Sequence, residues 1–366
     1  MLFIKELQVE NYKNIESVSL KADKKFICFT GENGAGKTNL IDSIHYLSLG
    51  KSYFSNIETQ NIRFNQNYFH LKSVFHRNEQ PFKITCGYMK GDKKVIKKNG
   101  EAYSRFSEHV GEFPVVMITP YDIELIHGGS EERRRFLDIL ISQTDKTYLE
   151  NLMSFVKILK QRNAHLKFLS FTKSNDKKLI QIYNEQLCRV AEPIFLSRKE
   201  FINDFRKVFH SLYSKISGAR EDVGMTYISQ LNENSLAIML ERCFYDDIKA
   251  ERTSYGPHKD DIDLIINERP VKKFGSQGQQ KSFLLALKLA EYETIRKKKG
   301  FMPLLLLDDI FDKLDAFRIS QMMGIISGSD YGQTFITDTD RDRVEKFFHP
   351  FSSDLSVFHV DKGSIV

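Results

Sequence analysis

The residues at positions 31–38, GENGAGKT, have the composition and spacing of a loop that binds polyphosphate. The pattern G-x-x-x-x-G-K-[ST] lies between an apolar segment that we expect to be a strand and a helical pattern. Glycines let the backbone wrap around phosphates with its N–H groups pointing inwards, and the helix N-terminus adds partial positive charge. A chance glycine-rich turn is the alternative, but residue types, spacing and context agree with the loop. The residues predicted to bind the nucleotide here are Gly31, Glu32, Asn33, Gly34, Ala35, Gly36, Lys37, Thr38 and Asn39.

Two adjacent acids supply the second half of the predicted site. The leucines at 304–307 predict a buried strand that delivers Asp308 and Asp309 to its C-terminal end. We expect Asp308 to hold Mg²⁺ directly or through water, and Asp309 to polarise the attacking water as general base or orienter. A pair of acids that caps a helix is the alternative. The predicted catalytic residues are Lys37 and Asp309, the predicted metal ligands are Thr38 and Asp308, and the predicted cofactors are ATP and Mg²⁺.

A third segment, GSQGQQ at 275–280, precedes a helical pattern and resembles the LSGGQ signature of ABC-type ATPases. A hydroxyl and backbone N–H groups at a helix N-terminus can hold a γ-phosphate. An ordinary capped helix is the alternative, and the Asp308 strand at a short distance downstream favours the signature. The resemblance implies that the following residues contact the nucleotide of a partner subunit: Ser276, Gln277, Gly278 and Gln279.

Three further parts of the sequence correspond in place to other motifs of ABC-type ATPases. The residues DKLD, from Asp312 to Asp315, resemble the D-loop, which contacts the dimer partner in that class. Asp338 occupies the place of the switch histidine of ABC transporters, which leaves the γ-phosphate sensor open and suggests slow hydrolysis. A Q-loop glutamine is not identifiable, and Tyr121 and Asp122 lie near its expected position.

The elements that must position these residues alternate between strand and helix patterns. Between residues 131 and 217 helical spacing prevails, with a polar break at 172–178, which predicts two long antiparallel helices. The other predicted elements are strands at 3–9, 25–30, 114–119, 303–307 and 334–337, an antiparallel meander at 68–106, and helices at 38–49 and 277–298.

The order of these elements predicts an α/β fold, an ABC-type ATPase head with mixed sheets around a P-loop core and an inserted helical lobe or short helical arm. Residues 1–130 are expected to form the N-terminal part of the head, and residues 131–250 the helical insertion. Residues 251–366 would complete the head with the signature, the Asp308 strand and the D-loop. The nucleotide chemistry is therefore split between the two ends of the chain.

Spacing and several further segments identify a family within this class. Thr38 and Ser276 are 238 residues apart, whereas ABC transporters place the signature much closer and SMC-like proteins insert hundreds of coiled-coil residues. An intermediate insertion with a short arm resembles RecF, the family of bacterial recombination mediators. The segments that are similar to that family are IKELQVENYKNI, GENGAGKTNLIDSIHYLSLGKSYF, TPYDIELIHGGSEERRRFLD, ERTSYGPHKDDI, SQGQQKSFLLALKLAE and LLLLDDIFDKLD. Lys13 and Lys259 replace arginines of the family pattern.

The resemblance implies an ATPase that forms a homodimer when ATP binds and that holds DNA at single-strand/duplex junctions without reading sequence. It also implies partnership with RecO and RecR and support of RecA loading in DNA repair and replication restart. The formal net charge of +6 is compatible with a polyanionic partner. One candidate DNA contact is the run at 83–98, with six lysines and one acid, for which a solvated turn is an equal alternative. The arginines at 133–135 are a second candidate, but pairing with acids inside the protein is slightly favoured for them. His258 and Lys259 resemble an ATP-side feature more than a metal site.

Composition and motifs weigh against other classes of protein. No apolar run approaches the ~20 residues that cross a bilayer, and the N-terminus lacks a secretory pattern, so we expect a cytoplasmic protein without membrane contact. The four cysteines are far apart, which argues against a zinc ribbon or a disulfide framework. A transport ATPase would carry a closer signature and a switch histidine. An ABC-headed nuclease would need an acid-rich metal domain, and the acids at 260–263 are too sparse for one.

Overall fold

The structure is a computed structural model that describes residues 1–218, 221–311 and 314–366. The chain forms two compact units, which are Met1–Asp122 with Leu212–Ala219 and Lys281–Val366, and Ile123–Ser211 with Arg220–Gln280. The strands are β1 Leu2–Tyr12, β2 Ile15–Lys21, β3 Phe26–Thr30, β4 Tyr68–Arg77, β5 Gln80–Met89, β6 Val95–Lys98, β7 Glu101–Ala102, β8 Val115–Ile118, β9 Val223–Ile228, β10 Asp261–Ile266, β11 Arg269–Pro270, β12 Leu304–Leu307, β13 Thr334–Asp338, β14 Leu355–Asp361 and β15 Ser364–Ile365. The α-helices are α1 Lys37–Leu49, α2 Phe106–His109, α3 Glu124–His127, α4 Ser130–Thr144, α5 Lys146–Thr172, α6 Lys178–Ser217, α7 Leu236–Arg242, α8 Phe244–Ala250, α9 Val271–Phe274, α10 Gln277–Lys299, α11 Ala316–Ile326 and α12 Arg341–Phe348.

The core of the first unit is a six-stranded sheet in the order β15-β14-β3-β13-β12-β8. Strands β14, β3, β13, β12 and β8 run parallel, and β15 returns antiparallel to β14. Every residue of β3 and of β12 is buried, because a strand of this kind of sheet is covered on both faces. The predicted strands at 25–30, 114–119, 303–307 and 334–337 are thereby confirmed, and they are neighbours in one sheet.

The second sheet of this unit is antiparallel, in the order β2-β1-β4-β5-β6-β7. The strict alternation of buried and less buried residues in β4 shows that one face of this sheet packs on the core. Phe69, Leu71 and Phe75 of β4 lie on that inner face. The predicted meander at 68–106 is confirmed, with the β5–β6 turn at Gly91 and Asp92.

The second unit contains the predicted pair of long helices and a sheet in the order β11-β10-β9. The helices α5 and α6 are separated by the expected polar break, and α6 continues through Pro193. The predicted helices are therefore confirmed. The sequence placed the boundary between the helical insertion and the rest of the head at residue 250. In the structure, residues 251–280 belong to the second unit, because β10 pairs antiparallel with β9 and Arg133 of α4 binds Asp261.

The states of the cysteines and the composition of the helices agree with the predictions from the sequence. Cys28, Cys86, Cys188 and Cys243 are all free thiols. Burial raises the pKa of the Cys86 thiol to about 12, so this side chain acts as a small apolar residue. Across residues 1–218, 221–311 and 314–366, none of the helices combines the length and the apolar composition that crossing a membrane requires.

Candidate nucleotide-binding site

The loop between β3 and α1 has a backbone conformation that favours glycine. Gly31, Gly34 and Gly36 have φ angles of 147°, 82° and 115°. A Cβ on Gly31 would lie 2.2 Å from the carbonyl oxygen of Val360, whereas a Cβ on Gly34 would meet no atom within 4 Å. The loop is therefore closed against β14 at one end and open at its apex, which is the shape that a phosphate chain needs.

Lys37 begins α1, and its ammonium group lies over the loop. Its Nζ donates to the carbonyl oxygens of Gly31 at 2.7 Å and Glu32 at 2.9 Å. The side chain is buried, and within the part of the chain that the structure describes no carboxylate pairs with it. Since two neutral carbonyls leave its charge uncompensated, Lys37 is suited to bind a polyanion. Asn33 at the apex is exposed, and Ala35 is buried.

The parallel strands bring Thr38 and Asp308 together. Strand β3, which precedes the glycine loop, and strand β12, which precedes the two acids, lie on either side of β13. Because the three strands are parallel, their carboxyl ends meet at one edge of the sheet. Thr38 Oγ1 donates to Asp308 Oδ1 at 2.8 Å. Neighbouring oxygens around an octahedral Mg²⁺ with bonds of ~2.05 Å are about 2.9 Å apart. The two predicted metal ligands therefore have the spacing that a single Mg²⁺ ion requires.

Thr337, at the end of β13, holds both acids in place. Its Oγ1 lies 2.9 Å from Asp308 Oδ1 and 3.2 Å from Asp309 Oδ1, and it accepts the Asp309 N–H at 2.9 Å. Asp309 has a φ of 44°, a left-handed conformation that costs a non-glycine residue free energy. The backbone is thus turned so that the Asp309 side chain stays at the mouth of the site beside Asp308.

The electrostatics of Asp308 favour a bound cation. Burial raises the pKa of Asp308 to about 6, and the charges of Asp309 and Asp42 add to the rise. The hydrogen bonds from Thr38 and Thr337 oppose it by stabilising the ionised form. A carboxylate that is costly to ionise when alone gains most from a divalent cation.

The signature-like residues lie at the N-terminus of α10, in the second unit. Ser276 Oγ accepts the Gln279 N–H at 3.2 Å, and Gln279 Oε1 accepts the Ser276 N–H at 2.8 Å. This reciprocal pair is a capping box, which defines where the helix begins. Ser276 and Gln277 are exposed, and Gly278 and Gln279 are half-buried. The helix is therefore capped and its tip remains accessible, and the assignment of these residues as the signature stays a prediction.

Comparison with known proteins decides the family. Residues 3–365 match the RecF/RecN/SMC N terminal domain family. The DNA replication and repair protein RecF of Flavobacterium johnsoniae is 42% identical over 359 residues, which cover 98% of this chain and 100% of that protein. RecF of Bacteroides thetaiotaomicron is 42% identical over 365 residues, 100% of this chain and 98% of that protein. The chain belongs to the RecF family.

Solved structures agree with this assignment. A structure of the recombination mediator protein RecF with ATP, in the RecFOR pathway, has a TM-score of 0.88 and 28% identity, covering 100% of this chain and 97% of that one. An Smc head domain with an extended coiled coil from Pyrococcus furiosus has a TM-score of 0.55 and 16% identity, covering 100% of this chain and 96% of that one. The second likeness concerns the fold alone. The predicted fold class, a RecF/SMC-type ABC ATPase head, is therefore confirmed.

In this RecF-family chain, Asp338 occupies a fixed position at the end of β13. Arg343 of α12 binds it with two of its guanidinium nitrogens, Nη2 to Oδ1 at 2.5 Å and Nε to Oδ2 at 3.0 Å. Asp338 Oδ1 also accepts the Asp340 N–H at 2.7 Å. The carboxylate is almost fully buried. Asp338 therefore organises the start of α12, and no proton-carrying histidine occupies this position.

The residues near the expected Q-loop have opposite orientations. Asp122 is buried, where it accepts hydrogen bonds from the hydroxyl of Tyr53 and from the Thr119 N–H. Tyr121 is 69% exposed and makes an edge contact with Phe54. Asp122 thus stabilises the turn after β8, and Tyr121 is the side chain that this turn presents to solvent.

The structure describes only part of the predicted D-loop. Asp312 and Lys313 lie outside the described residues. Asp315 Oδ1 accepts the Arg318 N–H at 3.0 Å and caps α11. A contact of this loop with a partner subunit remains a prediction.

Side chains alternate between the two faces of the sheet along β6, so the lysines of the run at 83–98 lie on different faces. Lys94 Nζ donates to Glu58 at 2.6 Å, and Lys98 binds Glu112 on the inner side of the sheet. Lys97 has the opposite orientation because side chains alternate along a strand. Lys97 and Lys72 both lie opposite Thr85 of β5, and Lys83 is two residues away on the same face. We call Lys72, Lys83 and Lys97 the lysine face; within the described residues, none of the three pairs with a carboxylate.

Two of the arginines at 133–135 bind groups of the protein itself. Arg133 binds both carboxylate oxygens of Asp261, at 2.7 and 3.0 Å, and Arg134 donates to the Asp260 carbonyl at 2.6 Å. Buried Arg198 binds the side chain of Asp260 at 3.0 Å. Internal pairing is thereby confirmed for Arg133 and Arg134, and the nuclease alternative has no support, because Asp260 and Asp261 form ion pairs.

Several residues at the site were not found from the sequence. Asn14 donates to the Gly34 carbonyl at 3.0 Å and accepts from Asn39 at 2.7 Å. The Gly363 N–H donates to the Ala35 carbonyl at 2.7 Å. Together with Val360, these residues hold the loop from two sides. The turn-forming residues of NYKN and DKG predict two turns. No local pattern in the sequence indicates that these turns contact the glycine loop.

Proposed function

We propose that this protein binds Mg²⁺–ATP in the loop at 31–39, hydrolyses it slowly, and forms a homodimer on DNA in the ATP-bound state. In this proposal the dimer sits at single-strand/duplex junctions, works with RecO and RecR, and supports RecA loading in repair and replication restart. The proposal rests on the resemblance to RecF proteins, one of which has been solved with ATP and is described as a recombination mediator. The junction preference and the partners are taken from that resemblance.

The observation that carries the nucleotide part is the contact between Thr38 and Asp308, together with the Lys37 ammonium on the carbonyls of the same loop. A hydroxyl and a carboxylate with ligand spacing, next to an uncompensated cation and an open glycine apex, fit a phosphate chain with its Mg²⁺. A binding site for an uncharged ligand would not bring these groups together. In this proposal the residues Gly31 to Asn39 act mainly through backbone N–H groups, with Asn39 held by Asn14.

In the proposed mechanism, the chain positions charge around the nucleotide. Mg²⁺ supplies charge neutralisation for the phosphates. Lys37 turns from the carbonyls of its own loop to the phosphate oxygens, and Thr38 and Asp308 hold the cation from the protein side. The Asp309 carboxylate, fixed by Thr337, orients the attacking water and accepts its proton. Hydrolysis is slow in this proposal because the Asp338 carboxylate is bound to Arg343 and does not take the part of a switch histidine at the γ-phosphate.

The proposed dimer depends on the exposed tip of α10. Ser276 uses its Oγ lone pair for the helix cap, so its hydroxyl proton stays free to donate to a γ-phosphate bound by the partner subunit. Gln277, Gly278 and Gln279 would add backbone N–H groups at the helix N-terminus. In each subunit these residues therefore serve the other subunit's nucleotide, which links ATP binding to association.

The experiment compares two variants in ATP binding and in association. Lys37→Met is expected to weaken binding of a fluorescent ATP analogue by about 100-fold, since a charge-assisted contact to phosphate is worth ~1.5–3 kcal/mol. Ser276→Arg is expected to bind the analogue like wild type yet to remain a monomer with ATP in light scattering. Wild-type binding by Lys37→Met would refute the nucleotide site. An ATP-dependent dimer of Ser276→Arg would refute engagement of the partner's nucleotide.

A further inference from the structure

Helix α5 of the second unit has an outer face that is both apolar and basic. Leu166 and Leu169 on its inner face pack with Ile180 and Phe244 in a buried cluster. At 100° per residue, the opposite side of the helix carries a different set of residues. We call this set the arm stripe: Met153, Val156, Lys157, Lys160, Lys167, Phe168 and Phe171.

The apolar members of the arm stripe are unusually exposed. Phe171 is 86% exposed and Phe168 56%, and Met153 and Val156 are about half exposed at 47% and 56%. Single exposed apolar residues are ordinary, but four at helical spacing on one face are typical of a surface that another molecule covers. The residues extend over about 27 Å of helix, at 1.5 Å per residue.

Charge indicates which molecule covers this face. Residues 151–175 contain no acid; the flanking acids are exposed Glu150, one turn before Met153, and Asp176 beyond the helix. Arg162 on the inner side is neutralised by Asp247 at 2.8 Å, whereas Lys157, Lys160 and Lys167 are exposed. An acidic partner would therefore gain on approach to the part of the stripe from Lys157 to Lys167.

The side-chain chemistry favours a protein segment over other anions. Met153 and Val156 have no ring on which a nucleobase could stack, although stacking supports the binding of single strands. The inner face of α5 is packed in its own unit, so the helix cannot sink into a bilayer as an interfacial helix does. Aromatic anchors within a rim of charge are instead typical of protein interfaces.

We propose that the arm stripe is a docking surface for an acidic amphipathic helix of a partner protein. The partner's apolar side chains pack on the two phenylalanines and the aliphatic pair, and its carboxylates pair with the lysines. This interaction is separate from nucleotide binding and from the lysine face. A helix of about 18 residues would match the length of the stripe.

The test uses two labelled 18-residue helical peptides with the same leucine pattern, one with glutamate and one with lysine at the polar positions. Fluorescence anisotropy with the full-length protein is expected to show at least about tenfold tighter binding of the glutamate peptide. Phe168→Ala with Phe171→Ala should weaken that binding by about tenfold or more, since each is an exposed anchor. Glutamates at Lys157, Lys160 and Lys167 should reverse the preference between the peptides.

Phe64→Ala is the matched control, because Phe64 is 87% exposed in the first unit. It is expected to leave the affinity for the glutamate peptide unchanged. Equal affinity for both peptides, absence of binding, or an equal loss in Phe64→Ala would overturn the proposal. An oligo-dT strand serves as the third probe; binding that requires Phe168 and Phe171 would mean that the stripe holds nucleic acid instead.

Discussion

At the scale of single residues, Asp308 is a buried carboxylate whose ionisation affects the stability of the first unit. Its carboxylate is buried and has a pKa raised to about 6, so the ionised form is present at pH 8 at a cost to folding. A raised pKa of an acid makes the folded state less stable above that pKa, and the penalty disappears as pH falls below it. If Asp308 binds Mg²⁺ as proposed, this loss of stability in the cation-free protein accompanies that role.

We expect Asp308→Asn to raise the unfolding free energy of the nucleotide-free protein at pH 8 by about 2–3 kcal/mol, as a buried charge is removed. The gain should shrink as pH falls through 6. The same variant should lose Mg²⁺-dependent ATP hydrolysis. Urea unfolding at pH 8 and pH 5, with an ATPase assay, measures both effects. A variant that is less stable than wild type at pH 8 would show that Asp308 carries no ionisation penalty.

At the scale of elements, β14 shapes the P-loop from the far end of the chain. The clash of a Cβ at Gly31 is with a backbone carbonyl of β14, which cannot rotate away. Gly34 has the same need for positive φ but has open space around it. These two glycines therefore separate the effect of packing from the effect of backbone conformation.

Gly34→Ala is expected to cost about 1 kcal/mol of stability, from positive φ alone. Gly31→Ala should cost at least about 3 kcal/mol, because the clash adds to the strain and must displace β14. It should also weaken binding of the ATP analogue more than Gly34→Ala does. Thermal unfolding and titration of the analogue provide the comparison. Equal costs would mean that β14 yields to the added methyl group.

The outer surface of the antiparallel sheet is the element-scale candidate for DNA. Glutamates at Lys72, Lys83 and Lys97 should lower the affinity for duplex DNA and reduce the slope of log K against log salt by about 2.7, as three phosphate contacts are lost. The same change of charge at Lys157, Lys160 and Lys167 is the control and should leave the slope unchanged. Filter binding at several salt concentrations measures both. Equal losses would indicate that net charge, and not this face, attracts DNA.

At the scale of the whole molecule, ATP should change how many phosphates the protein holds. If ATP pairs two copies, two lysine faces engage one DNA, and the salt slope should about double with ATP present. Ser276→Arg is expected to bind ATP but to keep the slope of the monomer. DNA titrations with and without ATP test this expectation. A slope that is independent of ATP would separate nucleotide binding from DNA binding.

Local patterns in the sequence were sufficient to predict the glycine loop, the acids after β12, the long helix pair and the α/β class. These features are short-range: a motif of eight residues, a run of four leucines and a helical period. The strands β2, β14 and β15 and the helices α11 and α12 were not predicted, and β14 is one of the two neighbours of β3. Its pairing joins residues about 330 positions apart, which no local pattern encodes.

The sequence by itself determined which residues could bind phosphate and Mg²⁺, because those residue types and spacings have few other uses. Only the tertiary structure decided how they are held: Thr337 between the acids, Val360 against Gly31, and Asp338 bound to Arg343. It also divided one run of lysines into Lys94 and Lys98, which pair internally, and lysines that face solvent. The physical reason is that hydrogen bonds and ion pairs depend on distances of about 3 Å between side chains, and pairing of distant strands sets those distances.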